Sequence, residues 1–196
     1  KTQNNSVRKR NSLKRYNDHN GIMRVRKRNG DIVPVDFNKI THRITNIANK
    51  ISNVIDPIKI AQRVCSSIYD NVKTRELDEL SSEIAVSLCT EHPDYGILAS
   101  CLCVSNLHKN TPDSFNECIK ILYENDMIHQ TTYNVAMENA IALHSAIDDE
   151  RDYLFDYFGM KTLMKSYLFK VENEIIERPQ YLLMRVAIGI HGFDIT

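Results

Sequence analysis

The sequence has no long apolar run. No stretch approaches the roughly 18 consecutive apolar residues that a membrane-spanning helix needs, and the polar, basic start lacks the apolar core of a secretory signal. With 42% hydrophobic and 26% charged residues, the 196-residue chain has the composition of a globular protein of one or two domains. We therefore expect a cytoplasmic protein with no membrane partner.

The sequence also lacks the short motifs of common catalytic and nucleotide-binding folds. It contains no G-x-S-x-G, H-E-x-x-H, G-x-x-x-x-G-K-[ST] or G-x-G-x-x-G. His92, His108 and His191 lie beside predicted helix ends, where a capping or surface histidine is commoner than a metal ligand or a base. These absences leave little support for hydrolytic or nucleophilic catalysis.

Cysteine is scarce, and its spacing points to no metal site. The five cysteines are an odd number in a chain without a secretory signal, which favours reduced thiols. Cys101 and Cys103 form a C-x-C pair, but no second pair follows at zinc-finger spacing. We interpret all five as packing residues: Cys65, Cys89, Cys101, Cys103 and Cys118.

The balance of charge hides an asymmetry along the chain. Lys+Arg and Asp+Glu each number 25, which gives a formal net charge of zero. Residues 1–28 hold ten basic residues and one acid, whereas residues 29–196 hold fifteen basic residues and twenty-four acids. Residues 1–22 are polar, basic and aperiodic, so we predict a disordered basic extension there.

Alternating residues and a turn signal predict a β-hairpin after this extension. Residues 23–28 and 31–35 alternate in polarity on either side of Asn29-Gly30, a dipeptide that favours a type I′ turn. Pro34 lacks an N–H group, which confines the second strand to an edge or makes this residue its end.

Helical patterns follow the hairpin. Apolar residues recur with helical period over 37–51, and Asp56-Pro57 supplies an N-cap and a first residue for a second helix. Thr74 is predicted to cap a third helix, and a fourth runs from about 95 to 108. Residues 23–110 are therefore predicted to form a hairpin that caps a four-helix unit.

A second helical part is predicted after the Thr-Pro-Asp sequence at 111–113. Helical patterns near 133–143 and 159–165 precede two short strands around a turn at 172–174, and Pro179 starts a final helix. The apolar face of that helix has no partner among the predicted elements: Leu182, Leu183, Val186 and Ile190. We therefore expect a truncated domain.

Five basic residues cluster on the hairpin and the first helix: Arg24, Arg26, Lys27, Arg28 and Lys39. Cations beside a helix N-terminus can bind a polyphosphate, because the side-chain charges and the free N–H groups both attract anions. Two alternatives remain open, a solvated basic strand and sequence-independent binding of nucleic acid. Few aromatic residues lie among these charges, which disfavours stacking of single-stranded bases.

Several blocks of the sequence resemble known families. MRVRKRNG at 23–30, VDFNKI at 35–40, TRELD at 74–78, HPDY at 92–95 and VSNLHK at 104–109 together resemble an ATP-cone domain. DYFG at 156–159, KTL at 161–163 and, above all, ERPQYLLMRVAIGIH at 177–191 are similar to the start of the catalytic region of the class I ribonucleotide reductase large subunit.

The resemblance implies a mainly α fold with a small β-hairpin. It places an ATP-cone at 23–112, followed at 113–196 by a truncated, helical N-terminal part of the reductase ten-stranded α/β barrel domain. None of the five cysteines matches a catalytic motif of the family, so no catalytic residue is assigned and the fragment alone is expected to be inactive.

The function implied is that of a reductase that converts ribonucleoside diphosphates to deoxyribonucleotides for DNA synthesis. The cone would bind ATP as activator or dATP as inhibitor, with magnesium, and thereby set overall activity. The implied partners are a small subunit with a radical-generating metal centre, a second large subunit in a homodimer or higher oligomer, and a thioredoxin- or glutaredoxin-type reductant. Nucleic acid is the less favoured ligand.

The resemblance assigns allosteric nucleotide-binding positions to twelve residues: Lys27, Arg28, Val33, Pro34, Val35, Asp36, Phe37, Asn38, Lys39, Thr74, Asp78 and Lys109. Lysine and arginine residues of this set match phosphate contacts of the family. Residues 33–39 match the stretch that wraps the nucleotide. Asp78 matches a position that accepts a hydrogen bond from the sugar or helps to distinguish ATP from dATP.

Three positions depart from the family pattern. Val33 stands where a glutamate is common, Pro34 where a basic residue is common, and Asn38 where an aspartate is common. Loss of two carboxylates makes the site more cationic but removes acceptors that would position the nucleotide or a metal ion. We expect binding to persist with weaker inhibition by dATP; the alternative is a degenerate cone that acts only in subunit assembly.

Overall fold

The computed structural model describes residues 23–192, so the extension predicted for 1–22 lies outside the described residues. The first half consists of β1 (Arg24–Arg26), β2 (Ile32–Pro34), α1 (Phe37–Ala48), α2 (Pro57–Ser66), β3 (Val72–Lys73), α3 (Thr74–Ser87) and α4 (Asp94–His108). The second half consists of α5 (Phe115–Glu124), α6 (Gln130–Glu138), α7 (Ala140–Ala146), α8 (Tyr157–Ser166), β4 (Lys170–Val171), β5 (Glu174–Ile175) and α9 (Pro179–His191). The mainly helical fold with a small β-hairpin is confirmed.

The predicted hairpin is present, but the predicted turn type is wrong. β1 and β2 pair antiparallel with Val25 opposite Val33, and Pro34 ends β2 at the edge of the sheet. Of the turn residues, Gly30 alone has positive φ, at 90°, whereas a type I′ turn needs it at both central residues. The Gly30 N–H donates to the carbonyl of Lys27 at 3.0 Å, which gives a three-residue loop closed by a glycine bulge.

A third strand that the sequence did not predict completes this sheet. β3 pairs parallel with β1, with Val25 opposite Val72, so β1 is the central strand. α3 follows β3 directly, and Lys73 rather than Thr74 occupies the N-cap position without a side-chain cap. The prediction that Thr74 caps this helix is therefore wrong, because strand pairing holds Lys73 extended immediately before the helix.

Two aspartates start the first two helices. Asp36 accepts from Asn38 N and Lys39 N to cap α1, and Asp56 accepts from two N–H groups to cap α2, whose first residue is Pro57. The Asp-Pro signal thus marked α2 correctly, since an aspartate satisfies free N–H groups and proline has none to satisfy. α4 begins within one residue of its predicted start.

The described residues form two hydrophobic clusters. The first joins the sheet to α1–α4 and contains fully buried side chains such as Ile60 and Leu98. The second lies among α5, α6, α7 and α9, with Phe115 and Tyr181 at its centre. α8 packs on the first cluster through Met160, although α7 packs on the second. The two halves of the chain are therefore joined by packing as well as by the backbone.

The ERPQ sequence forms a buried ionic junction between the halves. The Glu177 carboxylate is fully buried, accepts from Phe169 N at 3.0 Å and pairs with Arg185 at 2.5 Å. The Arg178 guanidinium, 5% exposed, donates to Thr111 Oγ1, to the His108 carbonyl and to Asp149. Because His108 ends α4, this arginine ties the first half to the start of α9.

The final helix begins at Pro179, as predicted, and most of its predicted apolar face lies exposed, as expected for a face without a partner; Leu182 alone of that face packs on the first cluster. Tyr181 and Ile188 are buried, whereas Leu183, Val186 and Ile190 of the predicted apolar face are 43–72% exposed. No helix among the described residues is long and apolar enough to cross a membrane.

The buried Glu177 carboxylate should be a major stabilising group. We expect Glu177→Ala to lower the free energy of unfolding by about 3 kcal/mol, because it leaves Arg185 and Phe169 N without their partner. Glu177→Gln should cost less, since the amide oxygen can still accept from Phe169 N. Urea denaturation measures both. The exposed Lys120–Glu124 pair at 3.9 Å provides the control: Glu124→Gln should change stability by less than about 0.5 kcal/mol. A loss in Glu177→Ala no larger than in the control would contradict the prediction.

Candidate functional site

A buried carboxylate organises the basic residues near the hairpin. Asp78 on α3 is 7% exposed; its Oδ2 accepts from Arg28 Nη2 at 2.8 Å, and its Oδ1 pairs with Arg43 of α1. Lys109 Nζ lies 3.9 Å from Asp78 Oδ2. Asp78 therefore draws the hairpin, α1 and the end of α4 together by charge.

Two asparagines at the end of α4 fix the direction of Arg28. Its Nη2 donates to Asn106 Oδ1 at 2.7 Å, and its Nε donates to Asn110 Oδ1 at 2.9 Å. Asn106 is in turn anchored by donating to the carbonyl of Arg75 at 3.2 Å. With Asp78, these acceptors hold the guanidinium in one orientation before any ligand arrives.

A strongly basic pocket of about 400 Å³ opens beside Arg28, and we call it the cationic pocket. Six basic residues line it together with Gly30, Thr74, Asn110 and Glu174: Arg26, Lys27, Arg28, Lys73, Arg75 and Lys109. Strand pairing places Arg26 opposite Lys73 in this lining. Like charges this close repel one another, so the pocket favours a multiply charged anion.

A second depression of about 650 Å³ adjoins the cationic pocket and shares Lys27 with it. The rest of its lining is the predicted wrapping stretch, residues 33–39, which supplies apolar surface from Val33, Pro34 and Phe37. Eleven of the twelve predicted residues thus line two neighbouring spaces. Asp78 lines neither, because both of its oxygens point to arginines.

The N-terminus of α1 is already occupied. The Asp36 carboxylate accepts from Asn38 N at 3.1 Å and Lys39 N at 3.3 Å, and lies 3.7 Å from Lys39 Nζ. These N–H groups were expected to help bind an anion, but they are satisfied within the helix cap. The lysine side chain remains 85% exposed and faces the second depression.

Several site residues were not predicted from the sequence. Arg43 follows Lys39 by four positions on α1, and Lys73 and Arg75 flank Thr74. Their positions relative to predicted site residues could therefore have indicated them from the sequence. The asparagines carried no such signal, since their role depends on the approach of the hairpin to the end of α4.

Lys109 has an altered proton affinity. Burial is the strongest influence and lowers the pKa of its ammonium group below the usual range; the Asp78 carboxylate raises that pKa, and Arg43 and Arg28 lower it. A bound anion would favour the charged form of this lysine.

One cluster of metal-ligating type lies away from the cationic pocket. Donor atoms of His108, Asp149 and Asp152 lie within 4.8 Å of one another. His108 Nε2 is already 2.8 Å from Asp152 Oδ2, Gln180 N donates to Asp152 Oδ1, and Arg178 donates to Asp149 at 2.7 Å. These hydrogen bonds and the arginine cation make the cluster part of the ionic junction.

The thiols offer no redox pair. All five cysteines are free, and burial raises the pKa of Cys103 to about 11 and that of Cys118 to about 12. Such thiols are mostly protonated near neutral pH and therefore poor nucleophiles. Cys103 and Cys118 lie in the hydrophobic clusters and Cys89 packs on the first, as predicted for packing residues, whereas Cys65 and Cys101 are half-buried outside the clusters.

The hairpin, four helices and basic pocket define a regulatory domain of the ATP-cone class. Residues 23–110 match the ATP cone domain family, and residues 153–194 match the all-alpha domain of ribonucleotide reductase. The ATP-cone implies binding of a nucleotide effector.

Curated relatives identify the wider family. The chain is 45% identical over 186 residues to a ribonucleoside-diphosphate reductase large subunit of Dictyostelium discoideum, covering 88% of this chain and 21% of the relative. It is 45% identical over 194 residues to that of Caenorhabditis elegans and 48% identical over 183 residues to that of Variola virus, covering 94% and 88% of this chain and 24% of each relative. The chain belongs to the ribonucleotide reductase large-subunit family and spans about a fifth to a quarter of the length of these relatives.

The charge coupling around Asp78 can be tested directly. We expect Asp78→Asn to lower the pKa of Lys109 further, because it removes the negative charge that favours the ammonium form. An NMR titration of the lysine side chains measures this pKa. Glu79→Gln is the control, since Glu79 pairs with Lys161 at 2.8 Å instead. An unchanged or raised Lys109 pKa in Asp78→Asn would contradict the coupling.

Proposed function

We propose that this chain is the nucleotide-sensing regulatory segment of a ribonucleotide reductase large subunit, and that its cone binds ATP as activator and dATP as inhibitor. The observation that supports this most strongly is the cationic pocket, with its six basic side chains beside a preoriented Arg28. A nucleoside triphosphate is the multiply charged anion that the cone family binds.

In this proposal the triphosphate enters the cationic pocket. Arg28 is the best-placed phosphate ligand, because Asp78, Asn106 and Asn110 hold its guanidinium but leave it 30% exposed. Lys27 lines both spaces and Lys109 lines the cationic pocket, so both can reach phosphate oxygens. The Nη1 group of Arg28, which makes none of these three bonds, can donate to phosphate in a fixed direction, and the lysines add charge.

The base and sugar then lie in the second depression. The apolar surface there suits an aromatic base, and Lys39 adds a cation at its rim. ATP and dATP differ only at the sugar 2′ position, so discrimination requires a polar group near it. Asp78 can accept a hydrogen bond from the 2′ hydroxyl group if one of its oxygens turns from Arg43 toward the sugar. The side-chain amide of Asn38, which lines the second depression, is the alternative.

Magnesium would be held mainly by phosphate oxygens and water. Among the described residues that line the two spaces, Asp36 and Glu174 carry carboxylates, and both are already bonded, to the α1 cap and to Arg75. With valine and asparagine at 33 and 38, the protein adds few oxygen ligands. This fits the usual preference of magnesium for phosphate and water.

For the whole protein we propose reduction of ribonucleoside diphosphates to deoxyribonucleotides for DNA synthesis. Its partners would be a small subunit with a radical-generating metal centre, further large subunits and a thioredoxin- or glutaredoxin-type reductant. The division of the chain into a basic extension at 1–22, a cone at 23–112 and the lead-in to the catalytic domain at 113–196 belongs to the same proposal. Each nucleotide would favour the assembly state that binds it better.

Two alternatives have separate tests. Binding of nucleic acid through the basic N-terminus would give a salt-dependent affinity for DNA or RNA that survives Lys39→Ala and is lost on deletion of residues 1–22. A cone that acts only in assembly would give sedimentation behaviour that does not depend on nucleotide.

Calorimetric titration of the chain with ATP and dATP tests the main proposal. Arg28→Gln and Lys109→Gln should each weaken ATP binding about tenfold, because each removes a charge-assisted phosphate contact. Lys120→Gln removes the same charge at an exposed position on α5 and should leave binding unchanged. Absence of saturable binding, or equal affinity in all three variants, would overturn the proposal.

A further inference from the structure

An ion pair joins the cationic pocket to the second half of the chain. Arg75, in the first turn of α3, donates from Nη1 to Glu174 Oε2 at 2.6 Å. Glu174 is the first residue of β5 and lies 99 positions further along the chain. The contact therefore links a helix of the cone to the β4–β5 hairpin.

Both partners line the cationic pocket. Among the described lining residues, Glu174 is the single carboxylate beside six basic side chains. An anion in this pocket is attracted by Arg75 and repelled by Glu174. A polyphosphate and the Glu174 carboxylate therefore compete for the same guanidinium.

The physical strengths favour the polyphosphate. The side chains of Arg75 and Glu174 are 40% and 59% exposed, so water and salt screen their attraction. A polyphosphate carries several negative charges and is attracted by the other five cations at once. Arginine can bind phosphate, like a carboxylate, through two parallel hydrogen bonds. A phosphate can therefore replace the Glu174 carboxylate with a similar hydrogen-bond geometry.

The hairpin that carries Glu174 has little support of its own. β4 and β5 contain two residues each, and the turn residues Glu172 and Asn173 both have positive φ, at 49° and 68°. A two-stranded hairpin of this size is marginal in isolation. Packing of Ile175 on the first hydrophobic cluster and the ion pair to Arg75 anchor it to the cone.

We propose that Arg75 is a phosphate-binding residue that pairs with Glu174 when no ligand is bound. A polyphosphate in the cationic pocket displaces the Glu174 carboxylate from Arg75 and thereby loosens the β4–β5 hairpin. This inference rests on the proposed nucleotide function of the same pocket. The exchange gives the occupied pocket a direct effect on the second half of the chain. The Lys161–Glu79 pair at 2.8 Å, which lies outside the pocket, keeps α3 and α8 joined meanwhile.

Calorimetry with ATP and with inorganic tripolyphosphate tests the exchange on the chain and its variants. Glu174→Gln should bind both about threefold more tightly, because the competing carboxylate is gone. Arg75→Gln should bind both about tenfold more weakly, because a charged phosphate contact is lost. When Arg75→Gln is also present, Glu174→Gln should raise both affinities much less than it does in the wild-type background. Glu124→Gln, at an exposed position on α5 outside the cationic pocket, is the control and should leave both affinities unchanged.

Hydrogen exchange measures the effect on the hairpin. Saturating ATP should speed exchange of the amides at 170–176, including the Ile176 N–H that donates to the Phe169 carbonyl at 3.1 Å. Glu174→Gln should show faster exchange there even without nucleotide. In Arg75→Gln, which has already lost the ion pair, added ATP should cause no further increase.

The outcomes separate the inference from the function on which it rests. Absence of saturable binding of ATP and dATP to the wild-type chain overturns the proposed function and the inference together. Wild-type binding with unchanged affinity in Arg75→Gln overturns the inference alone. An equal gain in affinity from Glu174→Gln with and without Arg75 would show that Glu174 only repels the ligand, and would overturn the proposed exchange of partners. Amide hydrogen exchange in the β4–β5 hairpin that ATP leaves unchanged or slows would overturn it as well.

Discussion

The buried carboxylate of Asp78 is the interaction on which the basic site depends. Arg28, Arg43 and Lys109 come from three separate parts of the chain, and their charges would repel one another without it. Since α3 is packed into the first hydrophobic cluster, Asp78 has a fixed place and gives its partners one as well. The basic residues thereby surround a pocket in which Asp78, Asn106 and Asn110 hold the Arg28 guanidinium in one orientation, whereas a solvated basic strand would leave it free to turn.

A second buried ionic group holds the two halves together. Glu177 and Arg178 are adjacent in sequence but bond to different neighbours: Glu177 joins Phe169, just before β4, to Arg185 of α9, and Arg178 joins the end of α4 to the start of α9. Glu177 and Arg178 are buried, whereas the side chains of Arg75 and Glu174 are exposed and their attraction is screened by water. The molecule thus combines a fixed junction with a weaker one at the rim of the cationic pocket, where a ligand can act on it.

Local sequence signals predicted the elements well where the interactions that form them are local. Asp56 and Pro57 marked the start of α2, and Pro34 marked the end of an edge strand, because capping and the missing N–H act within a few residues. The same reasoning failed at Thr74, where pairing with β1 keeps Lys73 extended. It also failed at Asn29-Gly30, since the hairpin closed with a bulge at Gly30 rather than with two left-handed residues.

The sequence alone determined that the chain is mainly helical, that its excess of basic residues lies within residues 1–28 and that its motifs resemble those of an ATP-cone and a reductase. Periodicity, composition and motif spacing are properties of neighbouring residues, so they can be read without coordinates. Only the tertiary structure decided which charges meet. It set Asp78 against two arginines, made Asp36 the cap of α1 at the second depression, and brought Glu174 to Arg75 across 99 residues. Charge interactions act through space, and the distances that govern them exist only once the chain has folded.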